Sequence, residues 1–292
     1  MIKPFMKRVL TNFIFVVSFI YIFTYNAKAQ KTEIGAMVGG AMYYGDIIND
    51  FILNSSKGSA GLFIRYHLNE DVSVKYAASY CRVGGADSTS SSDYQKNRNL
   101  SFWSDIFEAS VQLEFNFVKD IIRGRRLRNR FIPYATVGLG AFSFWSYATN
   151  PNTGLPVKLK SLHTEGLSYA PYGVCLPIGL GLKYKITSNI TLGLEANVRF
   201  TNTTYIDDIG GVTATYPSQK VLRSLTALVM YDRSKARYNP ATGYSGGNEG
   251  GLRGKIAIND IYALFGVSLS YRIEFVKFGV NHGKSVLKLR YF

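Results

Sequence analysis

Two alternating runs, Val174 to Ile186 and Ile190 to Phe200, joined by Thr187-Ser188-Asn189, constrain this chain more than any other feature. In the second run Ile190, Leu192, Leu194, Ala196, Val198 and Phe200 alternate with Thr191, Gly193, Glu195, Asn197 and Arg199. In the first, Val174, Leu176, Ile178, Leu180, Leu182, Tyr184 and Ile186 alternate with Cys175, Pro177, Gly179, Gly181, Lys183 and Lys185. Strand side chains point to opposite faces with a period of two, so each run has one apolar face and one polar or small face. Each run is about as long as the ~9–11 residues with which a tilted strand crosses a bilayer, and its charges lie only on the polar face. The pair is predicted to be one hairpin of a transmembrane β-barrel.

The same pattern recurs along the chain. Ile34 to Gly45 is a Gly-rich first strand, and Ala60 to Leu68 sets Leu62, Ile64, Tyr66 and Leu68 outward against Phe63, Arg65 and His67. Val72 to Cys81, Ser104 to Phe117, Tyr134 to Phe144 and Tyr262 to Ile273 follow. The polar, Ser-rich stretch Arg82 to Asn99 has no periodicity and is expected to be a loop. Trp145 to Gly173 and Thr201 to Asn259 are longer irregular connections. Long and short connections therefore alternate, as in barrels with long extracellular loops and short periplasmic turns. The fold expected is all-β: a transmembrane antiparallel up-and-down barrel of eight strands with both termini periplasmic. Ten strands is the alternative, if the tail after Ile273 pairs with part of Thr201 to Asn259.

The chain begins with Lys3, Lys7 and Arg8, then an apolar run from Val9 to Phe23 and Ala27-Lys28-Ala29. A basic start, a short apolar core and a small-x-small ending predict a cleaved secretory signal peptide over 1–29. The division expected is that leader, a barrel over 30–273, and a periplasmic tail or extra strand over 274–292. Of the formal charge of +15, four positive and no negative charges fall in the leader, so the remainder carries +11. Export and the absence of a nucleic-acid motif argue against nucleic acid. Outer-membrane lipid and lipopolysaccharide phosphate are the expected anionic partners. Cys81 and Cys175 lack metal-site spacing, and both are expected to face the lumen near one end. Whether they pair stays open, because sequence does not supply their separation.

An eight-stranded barrel is just wide enough to be filled by its own side chains. The inward set holds Glu108, Glu114 and Glu195 with Arg65, Lys75, Lys183, Lys185, Arg199 and Arg272, and is predicted to pair into a lumenal plug, since burying them unpaired is costly. A small-solute pore is the alternative. A lipid-modifying barrel enzyme is a further one, but the histidines do not favour it. His67 lies at the periplasmic end and His282 in the tail; only His163 sits in an extracellular loop beside a carboxylate, Glu165, with no serine placed as nucleophile. Gly138-x-Gly140 and Gly179-x-Gly181 lie mid-strand and are expected to relieve crowding inside the barrel. Asp207-Asp208 and Asp232 could bind calcium, but without EF-hand spacing they are expected to be solvated or turn-forming. No cofactor or resident metal is expected. The turn from Lys119 to Arg130 is the most biased local feature. Its Arg123, Arg125, Arg126, Arg128 and Arg130 suit lipid phosphates of the periplasmic leaflet or an acidic periplasmic or secretion-machinery protein.

Several segments together resemble one family. They are Tyr44-Gly45-Asp46, Asn99 to Ile106 (NLSFWSDI), Gln112 to Phe117 (QLEFNF), Thr164-Glu165-Gly166, Cys175 to Gly181 (CLPIGLG) and Thr204 to Asp208 (TYIDD). Spread from about Glu33 to Ile273, they resemble a Bacteroidota outer-membrane β-barrel family of unknown function related to the PorG component of type IX secretion. The resemblance implies an outer-membrane barrel that is accessory to a secretion or envelope machine, and supplies no catalytic residues. A structural or scaffolding role is the function expected.

Overall fold

The computed structural model describes residues 32–48, 56–123, 126–222, 224–234, 249–254 and 258–273. The proposed leader and tail, with His282, lie outside these residues. Eight long strands carry the fold: β1 Thr32–Tyr44, β2 Lys57–His67, β3 Val72–Ala86, β4 Ser101–Asn116, β5 Phe131–Thr149, β6 Tyr172–Lys185, β7 Ile190–Thr201 and β8 Ile261–Ile273. They neighbour one another in the order β4-β3-β2-β1-β8-β7-β6-β5. Antiparallel pairing of β4 with β5, from Trp103↔Tyr147 to Asn116↔Tyr134, closes the ring. Closure leaves no strand edge to satisfy in lipid. Among the described residues the stretch from Asn202 to Asp260 adds no strand to the ring, so the count is eight and the ten-strand alternative falls.

The short turns lie at one end. In the β2–β3 turn Asn69 Oδ1 accepts the amides of Asp71 (2.8 Å) and Val72 (2.7 Å). In the β6–β7 turn Thr187 Oγ1 accepts those of Asn189 (3.2 Å) and Ile190 (3.0 Å). Such side-chain bonds mimic a backbone turn and hold the hairpin register. Pro177 has no amide to give, and the β5–β6 ladder is interrupted there, running from Val137↔Ile178 to Gly140↔Cys175.

β3, β4 and β5 run further outward than the alternation predicts. The stretch from Arg82 to Asn99 is strand as far as Ala86, then a 3₁₀ turn (Asp87–Thr89) and a short helix α1 (Asp93–Arg98). The expected pattern fails there because the environment reverses. Val83 points into an apolar interior and Arg82 points out, the opposite of the lipid-facing rule.

Outside, the strands present large exposed side chains, among them Leu62, Leu139, Leu180 and Val38. The outward row that begins on β4 at Phe107 ends at Phe117, the residue just past the strand's periplasmic end; these lie ten residues apart. At roughly 3.3 Å per residue and a tilt of roughly 40°, that row spans roughly 25 Å along the barrel axis, the height of a lipid-facing band. Exposed aliphatic surface on this scale is unfavourable in water and matches hydrocarbon. The protein is an outer-membrane β-barrel.

Candidate functional site

The barrel interior has two storeys. The periplasmic half is a buried ion-pair network centred on Glu33 of β1 and Glu114 of β4, both fully buried. Glu114 accepts Arg65 through Nε (2.7 Å) and Nη2 (3.1 Å), and Lys183 Nζ at 2.7 Å, with Lys75 Nζ at 3.6 Å. Glu33 accepts Arg65 Nη1 (2.8 Å), Lys185 Nζ (3.1 Å) and Arg272 Nη2 (2.8 Å), and His67 Nε2 lies 3.0 Å from it. Asp120 reaches in from the periplasmic turn to Lys185 (3.0 Å) and Arg272 (2.7 Å). Higher up, Lys75 bonds Glu195 at 2.7 Å, and Tyr134 donates to the same carboxylate at 2.5 Å. The Asn197 amide also donates to Glu195. Arg199 (3.1 Å) and Tyr262 (2.7 Å) meet on Glu108. The structure thus brings together every lumenal residue named from the sequence, draws in His67, which the alternation also placed inward, and adds Glu33 and Asp120.

Crowding explains the lumenal glycines. A Cβ at Gly181 would overlap the Tyr134 ring, and one at Gly179 would overlap the Asn197 amide. A cavity of about 20 Å³ between Lys75, Ser79, Gln112, Glu195 and Arg199 has room for about one water. Glu33, His67 and Asp120 have the spacing of a metal-ligand set. Lys185 and Arg272 already bridge the two carboxylates, however, and would repel a cation, so the chemistry of the donors does not fit a metal.

The outer half is apolar. Tyr43, Cys81, Val83, Phe102, Ile106, Phe142, Phe144, Cys175 and Leu264 pack there. Both thiols are free and buried. Onto this layer the β7–β8 connection folds inward, burying Ile206 and Ile209 completely. The Ile206 carbonyl accepts Ser104 Oγ (2.5 Å) and Ser146 Oγ (2.8 Å), and its amide donates to Asp260 Oδ2 (2.7 Å). Arg98 of α1 grips Asp87 (2.7 and 2.8 Å) and donates to the carbonyls of Asp46 and Arg253, tying three connections together.

Asp207 and Asp208 are both buried and so not solvated, and both lie in a turn, the other outcome expected of them. They face apart. Asp208, at φ +68°, accepts Thr164 (2.5 Å) and Tyr169 (2.7 Å), while Asp207 Oδ1 accepts the Ile209 amide (3.0 Å). Asp232 instead caps its own turn through the Ser234 amide. The three therefore do not form one calcium site. Burial, reinforced by Asp260 and Asp46, pushes the Asp207 carboxyl well above the usual range; burial pushes Asp260 to about 8. Glu165 is taken up by Arg253 (2.8 Å) and the Gly210 amide, so it does not serve to orient His163 as a base.

In the basic turn, Ile122–Arg123 pairs with Arg126–Leu127 as a small hairpin. Arg128 and Arg130 are exposed, and Arg125 lies outside the described residues. The turn's buried carboxylate, Asp120, points the other way, into the barrel.

The family model described as "Domain of unknown function (DUF6089)" matches residues 10–230, well over half of the chain. The chain belongs to the DUF6089 family. No curated protein matches it. Among solved structures, the DUF6089 barrel is similar to Neisserial surface protein A (NspA), with 9% identity, a TM-score of 0.40, and 84% of this chain and 97% of that one covered. It is likewise similar to a major outer membrane protein from Thermus thermophilus, with 12% identity, a TM-score of 0.40, and 84% and 100% covered. A third is Ail, the attachment invasion locus protein of Yersinia pestis, with 11% identity, a TM-score of 0.36, and 84% and 99% covered.

Proposed function

We propose that this DUF6089 barrel is a structural or scaffolding component of the outer membrane, accessory to a protein-secretion or envelope-building machine, and not a solute pore. The observation that carries this reading is the filled lumen. Ion pairs occupy the periplasmic half, apolar side chains the outer half, and the β7–β8 connection closes the mouth. A barrel that invests its interior in fixed pairs offers its partners only its rim, its turns and its lipid-facing wall. The tie to type IX secretion rests on the sequence resemblance alone, and the basic turn from Lys119 to Arg130 is the surface proposed to dock an acidic periplasmic protein.

Planar-bilayer recording of the refolded chain tests the first part: no steady conductance is expected, and a stable open level would return the pore reading. For the second, wild-type barrels and barrels with Arg123, Arg125, Arg126, Arg128 and Arg130 all changed to Gln are compared by pulldown at matched abundance. Loss of an acidic periplasmic protein from the variant is expected. An identical set of captured proteins would leave the turn as a lipid contact.

A further inference from the structure

We infer that the outward face of β3, β4 and β5, where these strands rise above the hydrocarbon, is a site for the phosphorylated sugar head of an outer-leaflet glycolipid, lipopolysaccharide. The outward positions of the eight strands carry only two charged residues, Arg82 and Asp105, and both lie here. The chain has only two tryptophans, Trp103 and Trp145, and both lie here too.

The register fixes the arrangement. Tyr80 is opposite Phe107, Arg82 opposite Asp105, and Gly84 opposite Trp103. On the far side of β4, Asp105 is opposite Trp145 and Trp103 opposite Tyr147. Tyr147 in turn is opposite Lys158 of the short strand Pro156–Lys158, which extends the sheet beyond β5. Phe107 marks the top of the roughly 25 Å lipid-facing row, so Asp105 and Arg82 sit at headgroup level and Trp103, Tyr147 and Lys158 above it. At the same height the other strands present Met42, Gly58, Val174, Phe200 and Ala263, none of them charged. The feature is thus one-sided, unlike an aromatic girdle, which runs round the whole barrel.

The chemistry matches a phosphorylated saccharide. Trp103 and Tyr147 stack with ring centres 5.9 Å apart and planes at 17°, a flat platform for a sugar ring. Gly84 makes the seat, since a Cβ there would stand 3.1 Å from that of Trp103. Below it Trp145 meets Phe107 edge-on at 5.7 Å, and Tyr80 packs on Phe107 at 4.9 Å. Asp105 accepts Arg82 through Nε (2.6 Å) and Nη2 (2.9 Å) and the Tyr80 hydroxyl (2.8 Å). That clamp holds the guanidinium over the ledge with Nη1 left for another acceptor, and Lys158 stands exposed at the opposite side. An arginine and a lysine flanking an aromatic platform suit phosphates at the two ends of a disaccharide.

The two tryptophans report on this site without any label. The full chain is refolded into phosphatidylglycerol bilayers and titrated with bisphosphorylated lipid A, with lipid A stripped of phosphate, and with further phosphatidylglycerol at equal phosphate. A saturable change in tryptophan emission with intact lipid A is expected. Removing the phosphates, or combining Arg82→Gln with Lys158→Gln, is expected to weaken it by about tenfold or more. Heat-modifiable gel migration shows that each variant is folded. An equal response to phosphatidylglycerol, or an unchanged midpoint in the folded double variant, would overturn the proposal. So would a photo-crosslinker at Tyr147 that captures a protein and no glycolipid in intact cells.

Discussion

Glu33→Gln tests whether the lumenal network is a packed plug or a hydrated one. The wild-type carboxylate receives Arg65, Lys185 and Arg272, with His67 beside it, while fully buried. Six lumenal cations (Arg65, Lys75, Lys183, Lys185, Arg199, Arg272) face five carboxylates (Glu33, Glu108, Glu114, Glu195, Asp120). The substitution leaves six against four. Removing one member of a buried pair costs about 3–5 kcal/mol. Here Arg65 keeps Glu114, and Lys185 and Arg272 keep Asp120, so the lower end of that range, about 3 kcal/mol, is expected. Arg82→Gln removes a half-exposed surface pair and is expected to cost about 0–1 kcal/mol. Urea titration of the full chain in lipid vesicles, read by heat-modifiable migration, measures both. Adding Lys185→Met to Glu33→Gln leaves five cations against four carboxylates and so restores the wild-type surplus of one, and the pair should be less destabilised than the sum of the singles. A cost under about 1 kcal/mol for Glu33→Gln, or strict additivity of the two, would mean the lumen is wet and screened, and the packed-plug account would fail.

Three further outcomes are expected. Leu194→Arg puts a cation on the lipid face and should cost about 2–4 kcal/mol, whereas lumen-facing Asn197→Ala should be milder; equal effects would contradict the assignment of faces. In a background with Cys81→Ser and Cys175→Ser, single cysteines at Ser90 and Pro151 should react with an impermeant thiol reagent on intact cells, and one at Ser188 should not. Because the Asp207 and Asp260 carboxyls titrate higher in the folded cap than in an unfolded chain, the folded state binds more protons between about pH 4 and 8. Cap stability is therefore full below that window and falls as pH rises through it. Hydrogen exchange over residues 201–222, corrected for the intrinsic pH dependence of exchange, should speed up as pH rises through that same window, to about 8, in the wild type and change less in Asp207→Asn.

The strands of the lipid-crossing region were legible because one simple rule governs them. Hydrocarbon outside and a charged interior make alternation strict from Phe107 to Phe117 and from Ile190 to Phe200. Above the membrane the rule lapses. Val83, Phe102 and Phe144 face inward and are apolar, so the outer ends of β3, β4 and β5 looked like loop or ended early. Glu33 escapes the alternation read from Ile34 because β1 starts two residues earlier, at Thr32. Asp120 sits in a turn, where no periodicity points to it. A signal for both was available: the inward residues named from sequence hold six cations against three carboxylates, an imbalance that a sealed lumen does not tolerate. The burial of Asp207 and Asp208 was not legible, since Tyr43, Thr164, Tyr169 and Asp260 come to them from distant parts of the chain.

Why the periplasmic half is held by charges and not by leucine follows from the route the chain takes. Buried ion pairs give little net stability compared with well-packed apolar side chains of similar volume. Tyr172 to Phe200, however, is nearly continuous through a four-residue turn. With leucine at Lys183, Lys185, Glu195 and Arg199 it would exceed the ~20 apolar residues that an inner membrane takes up as a helix. Alternating charge keeps each strand too polar to be retained before it reaches the outer membrane, and pairing across the lumen then offsets the burial. The outer half escapes this constraint because its apolar stretches, such as Ala141 to Trp145, are short and interrupted by Ser143 and Ser146. There the interior can be apolar, and the extracellular connections have a dry surface on which to fold.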